Sequence, residues 1–166
     1  MSFTSELKKY ANGVTAATTG AVVAAAAVGT ALTDPDNRWY KSLRKPSWQP
    51  PAAVFPVAWT ALYADIAAVN SMVLTDLVDT GQREQAREHA TALGVNLALN
   101  AGWCGLFFRS KRPWLAAAGA GALALSSADL TRRAYESSPA RGAALAPYAG
   151  WTAFATALST AIAAKN

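Results

Sequence analysis

Residues 39–63 read WYKSLRKPSWQPPAAVFPVAWTALY. Trp39, Trp48 and Trp59 stand beside Tyr40, Phe55 and Tyr63, with Pro46, Pro50, Pro51 and Pro56 interleaved. Proline fixes φ, removes a donor and pushes its predecessor toward extended backbone, so Lys45-Pro46 and Gln49-Pro50 read as a stiff loop. Pro51 suits the first turn of a helix, where its missing N–H costs nothing. The stretch is therefore a rigid, aromatic, mildly basic loop running into an apolar helix. Two readings are open on this ground alone. Trp and Tyr gather at membrane–water boundaries as an interfacial belt, and the same residues suit a cover over a flat, greasy, anionic ligand.

Outward from this segment, the distribution of charge defines the fold. No charged residue occurs from Tyr10 to Thr33, Pro46 to Ala64, Ala90 to Phe108 or Gly142 to Ala164, and a shorter gap runs from Pro113 to Ala128. About 20 predominantly apolar residues cross roughly 30 Å of hydrocarbon as a helix. Four gaps meet that length and the fifth is marginal. The expectation is an all-α membrane protein, a single domain over residues 1–166 with five transmembrane helices at about 14–32, 51–77, 89–108, 113–136 and 139–164, and a structured Trp/Pro-rich loop between the first two. A soluble alanine-rich bundle would need a charged face opposite each apolar stripe, and these segments have none. Lys8-Lys9 before an apolar run has the form of a leader peptide, but the run is long for that purpose. Mean hydropathy is only +0.14 because alanine fills places that Leu or Ile fill elsewhere.

A net charge of +5 does not point to nucleic acid, since the 15 Lys and Arg are scattered through the connections with no basic helix. Basic residues number seven on one side of a five-span arrangement and eight on the other, so the positive-inside rule leaves orientation open. Cys104, the one cysteine, permits no intrachain disulfide and suits a buried small hydrophobe. His89, the one histidine, reads as a polar residue at the start of the third helix. With no second His or Cys at ligand spacing, no metal site is expected. No nucleophile–base pair can be assembled around it, and no cofactor is required.

What remains is an aromatic and polar lining. Phe55, Trp59 and Tyr63 recur every fourth residue on one helical face, Asn100 and Trp103 share a face, and so do Tyr148 and Trp151. Buried Asn, Trp and Tyr need hydrogen-bond partners, so these groups should face inward, lining a pocket or filling a core. Small residues recur every fourth position at Ala17, Ala21, Ala25 and Gly29 and at Ala90, Gly94, Ala98 and Gly102. Such stripes let helix backbones approach closely in lipid, within the bundle or across a homodimer. In the second stripe the two glycines lower helix stability and so ask for a reason.

The pattern W-Y-x-x-L-x-K-P-x-W-x-P-P followed by F-x-x-x-W-x-x-L-Y resembles the signature of the TspO/MBR family, the tryptophan-rich sensory proteins and translocator proteins. Leu99-Asn100, Trp103 and Phe107-Phe108 resemble that family's third helix. Pro147-Tyr148, Trp151, Phe154-Ala155-Thr156 and Leu158 resemble its fifth, so the likeness runs from Trp39 to Leu158. It implies a five-helix bundle with a ligand pocket beneath the first loop, lined by Trp39, Trp48, Trp59, Asn100, Trp103 and Trp151. It implies porphyrins such as protoporphyrin IX or haem as ligands, and a homodimer, for which the Ala90–Gly102 stripe is the expected seam. Breakdown of protoporphyrin in light has been attributed to some bacterial members, and the residues involved match Trp59 and Trp151.

Two departures from the family pattern stand out. Ser159-Thr160 follows Leu158 with no later Tyr, so the sterol motif of the animal proteins is absent there. Leu130, Tyr135 and Arg141 fit only a loose version elsewhere. Asp65 lies within the second apolar segment, where a charge is costly, and is expected to contact a polar ligand edge or a neighbouring helix. Asp129, Arg132 and Arg133 could pair along one helix face or snorkel from its end. Three functions follow as expectations: a tetrapyrrole receptor, carrier or stress sensor; a light- and oxygen-dependent degrader of protoporphyrin IX; or a membrane scaffold without a small ligand. The lack of the sterol motif and the alanine content point to a bacterial membrane.

Overall fold

The computed structural model describes residues 8–166, and every regular element among them is a helix. In chain order these are α1 (Gly13–Leu32), the five-residue α2 (Arg38–Ser42), α3 (Val54–Asp79), α4 (Arg83–Phe108), α5 (Pro113–Ser137) and α6 (Pro139–Lys165). At about 1.5 Å per residue, the five long helices measure roughly 30 to 40 Å. By length and composition, α1, α3 and α4 can each cross a membrane. In α5, Asp129, Arg132, Arg133 and Glu136 reduce the hydropathy near one end. In α6, Pro, Tyr, Ser and Thr dilute it.

Local chemistry sets the helix ends. Asn12 caps α1 by accepting from the Thr15 N–H at 3.0 Å, and Asn37 caps α2 by accepting from the Tyr40 N–H at 2.7 Å. Pro113 and Pro139 open α5 and α6, where a proline forfeits no helical hydrogen bond. Gly81, at φ 73°, turns the chain from α3 into α4. The second long helix starts at Val54 rather than at 51, because the Val54 N–H closes a turn onto the Pro51 carbonyl at 2.9 Å. Pro56, not Pro51, therefore occupies the first helical turn. The third long helix starts at Arg83, six residues before His89. Arg83, Glu84, Arg87 and Glu88 are solvated around buried Ala86 and His89, so charge ends the apolar stretch without ending the helix.

Around the bundle the order is α1, α3, α6, α5, α4, with α4 closing back on α1. The most extensive pairing joins α5 and α6, separated in sequence by Ser138 alone. Gly142 makes that hairpin possible: a Cβ there would lie 2.6 Å from Tyr135 Cα. Ile66, Val73, Leu130, Leu145 and Tyr148 meet in the centre, essentially without exposure. The outside is apolar too. Val23, Val57 and Leu125 are 60, 72 and 76% exposed, which suits a lipid solvent better than water.

Candidate functional site

The connection between α1 and α3 folds over one end of the bundle. Leu43 packs with Phe107, Ala116, Leu158 and Ile162, and draws Trp39, Tyr40, Phe55, Trp103, Phe108 and Phe154 around it. Trp39 and Tyr40 meet the Phe107 ring edge-on, with centroids at 6.3 and 5.9 Å, and Trp103 lies 5.6 Å from the same ring. Trp48 packs edge-on against Phe154 at 5.9 Å and remains 47% exposed. The short helix α2 thus sits down on α4, while Trp48 occupies the rim above α6.

Below this cover, α3 and α6 present a second aromatic set. Trp59 lies 5.5 Å from Tyr63, 6.4 Å from Tyr148 and 6.5 Å from Trp151, the last with ring planes at 89°. Phe55 is 6.0 Å from Trp151, and Trp151 is 5.3 Å from Phe154. Edge-to-face geometries of this kind follow from the ring quadrupole, positive at the edge and negative on the face. Pro147, inside α6, offers no N–H to the helix ladder immediately before Tyr148.

A hydrogen-bonded relay runs from this set into the core. The Tyr63 hydroxyl donates to Asn100 Oδ1 at 2.7 Å, and Asn100 Nδ2 donates to the Tyr148 hydroxyl at 3.2 Å. The Tyr148 hydroxyl in turn donates to Asn96 Oδ1 at 2.7 Å. Asn96 Nδ2 donates to Ser126 and Ser127 at 3.2 and 3.1 Å. One polar thread therefore ties α3, α4, α6 and α5 together with every amide group engaged, as buried amides require. Two polar atoms at the site, Trp103 Nε1 and Gln49 Oε1, stay buried without a partner among the described residues, as does Asp65 Oδ2 about 200° round α3 from the Tyr63 face. Gln49 belongs to the covered end, since its Nε2 reaches the Tyr40 hydroxyl at 3.5 Å.

The structure thus brings Phe55, Trp59, Tyr63, Asn100, Tyr148 and Trp151 into one connected group. Trp39 and Trp103 join through Phe107 on the α4 side, and Trp48 joins through Phe154. Asn96, Ser126 and Ser127 were not singled out from sequence, although the i, i+4 spacing of Asn96 and Asn100 is a readable signal. Ala90, Gly94, Ala98 and Gly102 are all exposed on the outer face of α4. A Cβ on Gly94 or Gly102 would meet nothing within 4 Å, so this stripe does not serve packing inside the bundle. In the α1 stripe only Gly29 is buried, beneath Cys104 Sγ and the Tyr63 hydroxyl.

Three other expectations are modified. His89 does not stand at the start of its helix: it lies almost two turns into α4, 3% exposed, with Nε2 at 2.8 Å from Asn70 Oδ1. Cys104 is only half-buried, with Sγ 3.7 Å from the Asn100 carbonyl. Leu130 is fully buried while Tyr135 is 58% exposed, so the loose Leu-Tyr-Arg pattern forms no common surface. Asp129, by contrast, pairs with Arg132 and Arg133 at 2.7 Å each, along one face as the spacing allows. Among the described residues, no three His, Cys, Asp or Glu side chains group as metal ligands.

The TspO/MBR family model matches residues 17–164, from the second turn of α1 to the end of α6. The chain belongs to the TspO/MBR family. A tryptophan-rich sensory protein from Cereibacter sphaeroides is 33% identical over 139 residues, covering 84% of this chain and 83% of that one. The translocator protein of Homo sapiens is 33% identical over 122 residues, covering 74% and 71%. The tryptophan-rich protein TspO of Chlorobaculum tepidum is 32% identical over 151 residues, covering 89% and 92%. Family membership and three helices apolar enough to span make this TspO/MBR chain an integral membrane protein.

Proposed function

We propose that this TspO/MBR protein binds tetrapyrroles such as protoporphyrin IX or haem within the membrane, as a receptor, carrier or stress sensor. All five long helices span the bilayer in this reading, and the connection from Thr33 to Ala53 closes the ligand end. The observation that carries it is the convergence of Trp59 and Trp151, 6.5 Å apart on different helices, above the Tyr63–Asn100–Tyr148 relay. Such an arrangement offers flat apolar walls with a few polar points, the composition of a small-molecule site. One unpaired atom fits the ligand's edge: Trp103 Nε1 can donate to a ligand carboxylate. The outward Ala90–Gly102 stripe, unused within the bundle, supports self-association as a homodimer.

A second reading rests on the same two indoles. Trp59 and Trp151 would flank a bound protoporphyrin IX, and with light and oxygen the pair would take part in its oxidation, without an acid–base dyad. Titrating the purified protein with protoporphyrin IX, in darkness and under illumination, separates the readings. Saturable quenching of tryptophan fluorescence with an unchanged porphyrin spectrum supports the carrier. Bleaching in light that disappears in Trp59→Phe and Trp151→Phe supports the degrader. Absence of saturable binding would refute both and leave a scaffold.

A further inference from the structure

The two ends of the bundle carry nearly equal numbers of cations but very different numbers of acids. Three stretches distant in sequence meet at the aromatic end. The Arg44 N–H donates to Asn166 Oδ1 at 2.9 Å, and Asn166 Nδ2 returns to the Arg44 carbonyl at 3.0 Å. Arg109 Nη2 donates to the Ala31 carbonyl at 3.2 Å, and Tyr40 packs on Phe108 at 5.3 Å. Arg38, Lys41, Arg44 and Lys45 after α1 therefore join Arg109, Lys111 and Arg112 after α4, and Lys165 at the end of α6. Among the described residues, only Asp34 and Asp36 stand against these eight cations, a formal surplus of six. Asp36 is held ionised by its hydrogen bond with Lys41, at 2.8 Å, which lowers its pKa.

The opposite end carries seven cations and six acids among the described residues, and it neutralises itself. Asp76 receives Lys9 at 2.6 Å and Arg141 at 2.5 Å. Arg132 lies between Asp129 and Glu136, and Arg133 between Asp129 and Glu88. The surplus of six at the aromatic end thus exceeds the net charge of +5 carried by the whole chain.

We propose that this aromatic end is a docking collar for anionic phospholipid headgroups. Charge complementarity identifies the occupant, since clustered Lys and Arg attract an anionic leaflet surface. Exposure places the collar at headgroup depth: Trp114, 62% exposed, directly follows Lys111-Arg112-Pro113, and Trp48 lies exposed on the same rim. Indoles at this level anchor in the interfacial layer, and adjacent cations reach the phosphates. Lys45 lies 3.9 Å over the Tyr40 ring, Lys41 pairs with Asp36 and Arg109 bonds the Ala31 carbonyl, which leaves Arg38, Arg44, Lys111, Arg112 and Lys165 exposed and uncommitted among the described residues. The proposal rests on membrane residence and not on tetrapyrrole binding.

The test uses the full chain in vesicles of phosphatidylcholine mixed with phosphatidylglycerol, with bromine on the acyl chains of one lipid at a time. Quenching of the tryptophans then reports the binding of each lipid relative to the other. The expected result is a preference for phosphatidylglycerol of about fivefold or more, on the scale of one or more collar cations engaged. It should fall toward unity in 1 M salt, where the Debye length is about 3 Å. Replacing Arg38, Arg44, Lys111, Arg112 and Lys165 together by Gln should remove the preference, while Arg83→Gln with Arg87→Gln at the other end should leave it intact. Equal quenching by both lipids overturns the proposal, as does an equal loss from the two sets of variants. Far-UV circular dichroism confirms that both sets remain helical. If excess free phosphate abolishes the preference at constant ionic strength, the collar is a general phosphate site and the lipid assignment fails.

Discussion

Replacing Tyr148 by Phe removes one oxygen from the centre of the bundle and changes almost nothing else. The ring is fully buried, and Phe preserves its volume, so no cavity penalty arises. Two hydrogen bonds between α6 and α4 disappear, the 2.7 Å bond to Asn96 Oδ1 and the 3.2 Å bond from Asn100 Nδ2. In a soluble protein each orphaned amide group would cost about 1–3 kcal/mol. In lipid the unfolded reference state also finds partners, and interhelical bonds average about 0.6 kcal/mol and reach about 1.7. The lipid scale governs here, and the two bonds together predict a loss of about 1–3 kcal/mol. Reversible unfolding in dodecyl maltoside micelles with rising dodecyl sulfate, followed by circular dichroism, measures it. The decisive arm is a double-mutant cycle with Asn96→Leu, where a coupling of about 0.5–2 kcal/mol is expected for residues in direct contact. Unchanged stability in Tyr148→Phe, or losses that add to within about 0.3 kcal/mol, would refute the relay as a stabilising feature.

Asp76→Asn should lower stability by about 1–2 kcal/mol, because it leaves Arg141 only 16% exposed without its carboxylate. The same unfolding titration should show that Arg141→Gln adds little to it. Gly142→Ala must push Tyr135 away and should cost about 1–3 kcal/mol or prevent folding. Gly94→Ala, which meets no neighbour, should be neutral or stabilising by up to about 1 kcal/mol through helix propensity. Gly94→Leu should leave the fold intact yet shift the micellar protein toward monomer, as read by sedimentation. Trp103→Phe deletes a donor that has no protein partner and trims a ring packed on Phe107, so stability should fall by only about 0.5–1.5 kcal/mol. If Nε1 binds a ligand carboxylate, protoporphyrin IX affinity should nonetheless fall about tenfold, for a charge-assisted bond of roughly 1.5–3 kcal/mol.

Much of the site was legible because helical periodicity is a local property. Phe55, Trp59 and Tyr63 share a face by spacing alone, as do Asn100 with Trp103 and Tyr148 with Trp151. That these faces meet was only an expectation until α3, α4 and α6 were seen to share the Tyr63–Asn100–Tyr148 bonds. Asn96 is legible only through its i, i+4 spacing from Asn100, whereas Ser126 and Ser127 in an alanine-rich helix carry no signal until their partner is known. His89 was misread for a related reason. Charged neighbours marked the end of the apolar stretch, but α4 continues past it, and Asn70 on α3 then buries the imidazole. The prolines of the cover likewise fixed a stiff connection without specifying which of them would begin α3.

The sequence by itself determined the apolar lengths, the prolines that interrupt them and the motif that places the chain in its family, since each is a property of neighbours along the chain. Packing in three dimensions settles which polar groups satisfy one another and which charges cancel in pairs. Coulomb and hydrogen-bond energies depend on distance in space, and helices 20 to 27 residues long bring together groups that the sequence sets far apart. Arg44 and Asn166, 122 residues apart in sequence, touch at the aromatic end; Asp76 and Arg141, 65 apart, cancel at the other.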